Sequence, residues 1–248
     1  MTTAADTQQA RLDSRLERYL AFDRVNRPYL DWQLDAFRPF LGRRVLEVGC
    51  GVGGVLDRLA PRERLFGIDI EAEVLDCARA RFAARPEFGF AQLDVGRLDP
   101  AQLSALRAER FDTLVSFNVF EHVEDDAAAL RALADVLAEG ATLALLVPAH
   151  PALYGPYDAL DGHFRRYTRR SLGALLRAAG CVPRFVRHFN AVGALGWFVQ
   201  YKLLRRSIHS EGHFGLMNRL VPVLSRAERL VPPPFGLSLL ALAHKRPA

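Results

Sequence analysis

The chain has 248 residues, enough for one large domain or for a domain with a lid. Half of the residues are hydrophobic and a quarter are charged, which excludes a disordered or collagen-like protein. Three cysteines without a CxxC spacing argue against a disulfide or zinc fold and favour a reducing, cytoplasmic location. The longest uncharged apolar stretch, about 191–199, is too short for a membrane helix, and the N-terminus lacks a signal-peptide pattern.

Charge is distributed unevenly along the chain. Residues 1–150 carry 18 basic and 24 acidic side chains, whereas residues 151–248 carry 15 basic and 4 acidic ones. A basic C-terminal part favours an anionic substrate, a nucleic acid or an anionic membrane surface as a partner. Arginine outnumbers lysine 31 to 2, so an ordinary solvated surface explains part of this charge equally well.

Predicted strands and helices alternate along most of the chain. Helices are predicted at 10–22 and 28–40, before the first strand. Five strands are then predicted, at 43–49, 64–70, 88–95, 111–119 and 141–148. The helices between these strands are predicted to begin near Gly53, Glu71, Asp99 and Asp125. A polar loop, a helix and a strand follow at 149–168, 169–179 and 182–189. This alternation predicts an α/β fold with a mainly parallel sheet covered on both faces.

A long segment separates the last two predicted strands, 182–189 and 237–245. Its 47 residues, 190–236, are too many for a hairpin, and their apolar spacing predicts an inserted pair of helices. This insertion suits a lid, a homodimer interface or a peripheral membrane contact. We therefore divide the chain into four parts: a helical cap at 1–42, an α/β core at 43–189, the insertion or lid at 190–236, and a closing strand at 237–248.

A glycine-rich loop at 49–54 joins the first predicted strand to its helix, where backbone can approach a ligand closely. Asp69 follows 20 residues after Gly49, a spacing that also fits a nicotinamide-dinucleotide site. Glu47 lies inside the strand, and a buried carboxylate there needs a partner such as a ligand's amino group. Asp94 and Asn118 end the next predicted strands, so polar side chains meet at one sheet edge.

Several segments resemble known motifs in their usual order. VLEVGCGVG, FGIDI, FAQLDV and FDTLVSFNVFEHVEDD resemble the four motifs of class I S-adenosylmethionine-dependent methyltransferases, and LAEGATLALLVP resembles their fifth strand. The resemblance implies a Rossmann-like seven-stranded sheet with helices on both faces, N-terminal helices and a helical insertion before the last strand. The segment that follows the fifth strand is similar to a bacterial small-molecule subgroup with the pattern LYG…D…GHxRRY.

The resemblance also implies S-adenosyl-L-methionine as co-substrate and assigns its site. The implied cofactor-binding residues are Glu47, Gly49, Gly51, Asp69, Ile70, Asp94, Val95 and Asn118. Glu47 would reach the amino group, Asp69 the ribose hydroxyls, Asp94 and Val95 the adenine, and Asn118 the methionine part near the sulfonium. Helix capping or turn formation is the alternative for both aspartates.

The polar loop after the fifth strand is expected to face the methyl acceptor. His163 is the first candidate for a general base, and His122 the second. Tyr154 and Tyr157 could shape an apolar slot beside the sulfonium, and Arg166 could recognise an anion. Loop-stabilising salt bridges and hydrogen bonds are the alternative for each of these residues.

A metal site is not expected from the sequence. Asn118, Glu121 and His122 read N-x-x-E-H, which is one residue away from the E-x-x-E-H metal cluster of certain RNA 2′-O-methyltransferases. A similar pattern occurs in ubiquinone-pathway methyltransferases. The missing first glutamate removes a hard oxygen ligand. We therefore predict that Glu121 and His122 orient the loop after the fourth strand and hold no metal.

These observations predict an enzyme that transfers a methyl group to a small, anionic molecule, with an oxygen acceptor as the first choice. Nucleic acid is not expected as a partner, because strand four ends in FNVF and no nucleic-acid-binding appendage is visible. A non-methylating protein on the same fold, such as a cyclase or a binding protein, is the alternative. A nicotinamide-dependent oxidoreductase is a second alternative.

Overall fold

The computed structural model of the chain describes residues 17, 20, 23, 26–199 and 211–247, with the side chains of 211–217 left out. Seven strands form one sheet in the order β3-β2-β1-β4-β5-β7-β6. The strands are β1 Arg44–Val48, β2 Arg64–Asp69, β3 Phe88–Gln92, β4 Thr113–Phe117, β5 Thr142–Pro148, β6 Cys181–Phe189 and β7 Ser238–Lys245. The predicted seven-stranded α/β fold is confirmed.

Helices cover both faces of the sheet within the described residues. They are α1 Arg27–Asp35, α2 Gly54–Leu59, α3 Ala72–Arg81, α4 Pro100–Ala108, α5 Asp126–Val136, α6 Pro156–Leu160, α7 Arg169–Ala178, α8 Ala191–Trp197 and α9 Glu211–Leu230. One buried cluster joins the sheet to α4, α5 and α7. A second cluster joins the opposite face to α1, α2 and α3 and includes Val221 of α9. None of the described helices is both long and apolar enough to cross a membrane.

The sheet topology brings the polar strand ends to one edge. β1 pairs in parallel with β2 on one side and with β4 on the other. The order in which successive strands are added to the sheet therefore reverses at β1 and β4. Ligands bind at such a switch point, outside the carboxyl ends of the strands. β7 runs antiparallel between β5 and β6, and Ser238 pairs with Pro148 and Phe189. The C-terminal ends of β5 and β6 therefore lie at this same edge.

The helices that precede β1 differ in detail from the prediction. The predicted helix at 10–22 lies almost entirely outside the described residues. The helix predicted at 28–40 ends at Asp35, and a separate 3-10 turn follows at Arg38–Phe40. Pro39 explains the break, because a proline has no N–H to donate to the carbonyl oxygen four residues earlier, here Asp35, and its ring clashes with that carbonyl in a helix.

The inserted helical pair is present as α8 and α9. Arg229 of α9 donates a hydrogen bond to Asp35 of α1 at 3.1 Å, so α9 lies against the N-terminal helix. Glu228 accepts the backbone N–H groups of Asn190 and Ala191 at 3.0 and 2.9 Å, which holds the start of α8. The division into four parts and the lid, dimer or membrane role of 190–236 stay predictions.

The segment 149–168, predicted as a loop, contains helical structure. A 3-10 turn covers Pro151–Leu153, and α6 covers Pro156–Leu160. Pro156 occupies the first helical turn, where its missing N–H costs nothing. Asp158 accepts the backbone N–H of Gly155 at 2.8 Å and so stabilises the start of α6. The abundance of Gly, Pro and Tyr concealed this short helix.

We expect Gly49→Ala to destabilise the fold by about 2–5 kcal/mol, because the added Cβ combines left-handed strain with overpacking. Gly49 has φ +75°, and a Cβ there would collide with the stiff side chain of Val119. Gly140 is the matched control, since it has φ +71° and nothing lies within 4 Å of the position that an added Cβ would take. Urea unfolding should show a loss of about 1–2 kcal/mol for Gly140→Ala. Equal losses in the two variants would contradict the packing argument.

Candidate cofactor and acceptor site

The glycine loop after β1 folds back onto the end of β2. The backbone N–H groups of Gly49 and Cys50 both donate to the carbonyl oxygen of Ile68, at 2.8 and 3.1 Å. The left-handed conformation of Gly49 directs the loop across the edge of the sheet. Backbone, rather than side chains, therefore forms the floor of the candidate cofactor site.

Asp69 ends β2 and ties the glycine loop in place. Its Oδ2 accepts the N–H of Gly51 at 2.8 Å, and its Oδ1 accepts the N–H of Glu71 at 3.1 Å. The sequence offered ribose binding and turn formation as alternatives for this carboxylate. Turn formation is observed, and each oxygen retains a further lone pair, so ribose binding stays a prediction.

Glu47 is a buried carboxylate in β1, two residues before the glycine loop. It is 3% exposed, and its Oε2 has no hydrogen-bond partner among the described residues. Burial, together with the nearby charge of Asp69, raises the pKa of Glu47 well above its usual range. An unpaired buried oxygen of this kind needs a donor, and a ligand's amino group would supply one.

The other predicted cofactor residues lie at the same edge but differ in burial. β3 ends at Gln92, so Asp94 lies in the following turn, where it accepts the N–H of Gly96 at 2.9 Å. This is the turn-forming alternative, and the adenine role of Asp94 and Val95 stays a prediction. Ile70 is 57% exposed just after β2. Asn118 has φ +54° after β4, and its backbone N–H donates to Leu146 at 2.8 Å.

The two tyrosines of the acceptor segment make internal contacts. The hydroxyl of Tyr154 donates to the carbonyl oxygen of His163 at 2.7 Å, which joins the two ends of α6. The ring of Tyr157 meets the ring of Trp197 edge-on, with centroids 5.3 Å apart. These contacts fix the segment, and a role of either ring beside a sulfonium stays a prediction.

Arg166 forms a buried ion pair with Asp158. Its Nε and Nη2 each lie 2.8 Å from Asp158 Oδ1, and its Nη1 donates to the carbonyl oxygen of Ala149 at 3.3 Å. Arg165 lies 2.9 Å from Asp126 in a separate pair. Arg166, which the sequence offered for anion recognition, already engages an internal carboxylate, and that role stays a prediction.

Acidic side chains surround His163. Its Nδ1 lies 3.0 Å from Asp158 Oδ1, and its Nε2 lies 3.3 Å from Asp161 Oδ2. Burial disfavours the charged ring, but the hydrogen bonds to Asp158 and Asp161 outweigh it and raise the pKa of His163 to about 9. The ring is therefore mostly protonated near neutral pH, a state that cannot accept a proton from an acceptor. The general-base role of His163 stays a prediction that this arrangement does not favour.

Glu121 and His122 form a 3-10 turn with Phe120 directly after β4, beside His163. The rings of His122 and His163 meet edge-on with centroids 4.5 Å apart. Glu121 is fully buried, and neither of its carboxylate oxygens has a hydrogen-bond partner among the described residues. Burial raises the pKa of Glu121 to about 7. The sequence predicted an orienting role for this loop and gave no sign of the buried charge.

His150 is a residue that the sequence did not single out as catalytic. It follows β5 with φ +60°, and its ring stacks on His188 with centroids 4.8 Å apart. Its Nε2 is buried without a hydrogen-bond partner among the described residues. Burial and the charge of Arg166 lower the pKa of His150, so the ring is neutral at physiological pH. Strained backbone conformations are often found at functional sites. The positive φ of His150 is such a signal, but it cannot be read from the sequence.

Comparison with known proteins identifies the family. The methyltransferase-domain family matches residues 7–184. Together with the seven-stranded fold, this match places the chain among the class I S-adenosylmethionine-dependent methyltransferases. S-adenosylmethionine is the co-substrate of this family, and the unpaired Glu47 oxygen beside the glycine loop fits its ammonium group.

Three curated relatives extend this similarity. An uncharacterized methyltransferase of Mycobacterium tuberculosis is 35% identical over 126 residues, 50% of this chain and 60% of that protein. Trans-aconitate 2-methyltransferase of Afipia carboxidovorans is 30% identical over 191 residues, 74% of this chain and 69% of that protein. Ubiquinone biosynthesis O-methyltransferase of Aeromonas salmonicida is 29% identical over 118 residues, covering 47% of this chain and 48% of that protein.

A solved structure shows the same fold over nearly the whole chain. A methyltransferase crystallised with the Haloferax volcanii Trm112 methyltransferase activator has a TM-score of 0.62 at 19% identity. The match covers 95% of this chain and 96% of that one. These comparisons match methyltransferases and do not favour the nicotinamide alternative.

We expect Asp158→Asn to destabilise the protein by about 3–5 kcal/mol, because it leaves the buried Arg166 without its counter-charge. Asp76→Asn is the control, since Asp76 pairs with Arg79 at the surface with 72% of its side chain exposed. Its effect should stay within about 1 kcal/mol. Chemical denaturation of both variants measures the difference. A small loss in Asp158→Asn would show that the network around α6 is not a stabilising one.

Proposed function

We propose that this protein transfers a methyl group from S-adenosylmethionine to an oxygen of a small, anionic acceptor. The buried Glu47 oxygen that lacks a partner among the described residues is the observation that carries the cofactor part. A cationic amino group placed there would donate to this oxygen and favour the ionised carboxylate. Asp69, which holds the glycine loop through Gly51, keeps lone pairs for the ribose hydroxyls that we assign to it.

The co-substrate supplies an activated methyl group on a sulfonium. In the transfer, the acceptor oxygen forms a bond to the methyl carbon as the carbon–sulfur bond breaks, and sulfur keeps the electron pair. A hydroxyl acceptor also loses its proton, which needs a base within reach. The protein's own contribution is alignment of the two reactants, worth about 7–11 kcal/mol in favourable cases, and removal of that proton.

His150 is the histidine at this edge that is best prepared to take the proton. It is neutral near physiological pH, and its Nε2 has no partner among the described residues. His163, in contrast, already carries a proton that two carboxylates hold. We therefore assign the base role to His150 and treat His163 as the second candidate. His122 lies beside His163, and its role as a base stays a prediction.

Two observations support the oxygen and the anion. One relative is named as an O-methyltransferase, and another is named for trans-aconitate, an anionic molecule. The basic C-terminal third, with 15 basic and 4 acidic side chains, attracts anions over a long range. The loop arginines do not contribute to this support, because Arg165 and Arg166 have internal partners. A cytoplasmic location also remains part of this proposal.

The decisive experiment incubates the full chain with S-adenosylmethionine carrying a labelled methyl group and a panel of small molecules. The panel pairs each hydroxylated or carboxylated anion with its uncharged and its amino analogue. Mass spectrometry then identifies the methylated atom. Labelled O-methyl products from anions support the proposal, whereas methylation of amines alone, or of uncharged analogues equally well, contradicts it.

We expect Asp69→Ala to weaken S-adenosylhomocysteine binding by about 1.5–3 kcal/mol, roughly 10- to 150-fold, through loss of charge-assisted hydrogen bonds. Isothermal titration calorimetry measures this change. Asp76→Ala is the control, because Asp76 lies on the exposed side of α3. Wild-type affinity in Asp69→Ala would restrict Asp69 to holding the glycine loop.

We expect His150→Ala to leave S-adenosylhomocysteine affinity nearly unchanged and to lower turnover by about 10²–10⁴-fold, the range for a general base. Calorimetry and turnover on the same preparation separate the two effects. His244→Ala is the control, since His244 lies at the opposite end of β7 beside Thr142. Full turnover in His150→Ala, with loss in His163→Ala, would return the base role to His163.

A further inference from the structure

Three potential metal ligands converge beside the end of β4. Glu121, His122 and His163 each offer one ligand atom, and these atoms all lie within 4.8 Å of one another. The two chain segments are fixed to each other, because the N–H of Phe164 donates to the carbonyl oxygen of Glu121 at 2.7 Å. The cluster is therefore a product of the fold and does not depend on chance side-chain positions.

The carboxylate of Glu121 is the feature that calls for a ligand. It is fully buried, and neither oxygen has a hydrogen-bond partner among the described residues. Burying an ionised carboxylate without a partner is strongly unfavourable, so such groups are neutralised, paired or bound to metals. Two imidazoles lie near this carboxylate, and no donor among the described residues makes a hydrogen bond to its oxygens.

The surroundings of His163 prepare its ring for coordination. Asp158 accepts Nδ1–H at 3.0 Å and is itself held by Arg166 at 2.8 Å. A carboxylate on one ring nitrogen orients a histidine so that the other nitrogen can bind a metal. That other nitrogen, Nε2, lies 3.3 Å from Asp161 Oδ2, and one ring nitrogen of His163 lies within 4.8 Å of the ligand atoms of Glu121 and His122. A cation would displace the Nε2 proton and gain Asp161 as a neighbouring carboxylate.

We propose that Glu121, His122 and His163 bind a divalent first-row transition-metal ion, with Asp161 as the nearest additional oxygen ligand. Two imidazoles and one carboxylate favour Zn²⁺, Co²⁺ or Mn²⁺ over Mg²⁺ and Ca²⁺, which prefer oxygen ligands alone. Metal bonds of about 2.0–2.2 Å place tetrahedral ligands roughly 3.4 Å apart. The three ligand atoms therefore need to draw together by at most about 1.5 Å, a movement within the reach of side-chain torsions.

This inference deepens the proposed function, on which its catalytic part rests. The cluster follows β4 at the same sheet edge as the cofactor loop, so a bound ion would be available to the oxygens of an anionic acceptor. A divalent cation binds carboxylate and hydroxyl oxygens and lowers the pKa of a bound hydroxyl. Such an ion would replace the anion recognition that Arg165 and Arg166 do not provide.

Metal binding is tested without cofactor or acceptor, so its outcome is independent of methyl transfer. The full chain is freed of metal with a chelator and titrated with Co²⁺, Zn²⁺, Mn²⁺ and Mg²⁺. Calorimetry gives affinity and stoichiometry, and Co²⁺ reports its ligands through visible absorption. We expect one transition-metal ion per chain and much weaker binding of Mg²⁺.

Substitutions locate the ion. Glu121→Gln and His163→Gln should each weaken Co²⁺ binding by more than about 100-fold, since even supporting residues contribute 10- to 100-fold. Glu124→Gln is the matched control, because Glu124 is exposed in the same loop. Metal-free Glu121→Gln should melt no lower than the wild type, because it removes an unpaired buried charge, which separates lost binding from unfolding.

Absence of binding in the wild type would overturn the proposal, as would equal binding in wild type and Glu121→Gln. Preferential binding of Mg²⁺ would overturn the assigned class of metal. Methyl transfer by a wild type that binds no ion would leave the proposed function intact and remove the metal. Metal binding without any methylated product would leave the metal site intact and contradict the proposed function.

Discussion

The acceptor side of the site depends on one buried carboxylate, that of Asp158. It accepts hydrogen bonds from Arg166, from His163 and from the backbone of Gly155, and so connects the start of α6 to the residues that follow it. Burial disfavours its charge, but these donors outweigh burial and lower the pKa of Asp158 below its usual value. The ionised carboxylate in turn holds Nδ1 of His163 and leaves Nε2 facing Asp161. Arginine, histidine and helix therefore share one electrostatic support.

The cofactor side follows a different physical logic. Backbone N–H groups and a left-handed glycine form the surface, and Asp69 holds that surface from below through Gly51. Glu47 lies in β1 just before this loop, with an oxygen that has no hydrogen-bond partner among the described residues. A positive amino group on the co-substrate would give this atom the donor that it lacks.

Two unpaired buried groups on the acceptor side distinguish this site further. Among the described residues, neither oxygen of Glu121 has a hydrogen-bond donor and Nε2 of His150 has no partner. Arg166 carries a positive charge that acts on both, favouring the ionised form of Glu121 and the neutral form of His150. The two proposals assign different tasks, because a cation at Glu121 would polarise an acceptor hydroxyl and a base at His150 would remove its proton.

The sequence by itself determined the order of strands and helices, because apolar periodicity and turn residues act locally. It also placed Glu47, Asp69 and Asn118 at one edge, since parallel strands end on the same side. It could not determine the partners of Arg166 or the grouping of Glu121 with His163, which are 42 positions apart in the chain. The sequence did not favour a metal, because Asn118 stands where the related pattern has a glutamate. Only the tertiary structure brings His163 to Glu121, because the turn after β4 and the residues after α6 are joined by the Phe164–Glu121 backbone hydrogen bond, which no local pattern encodes.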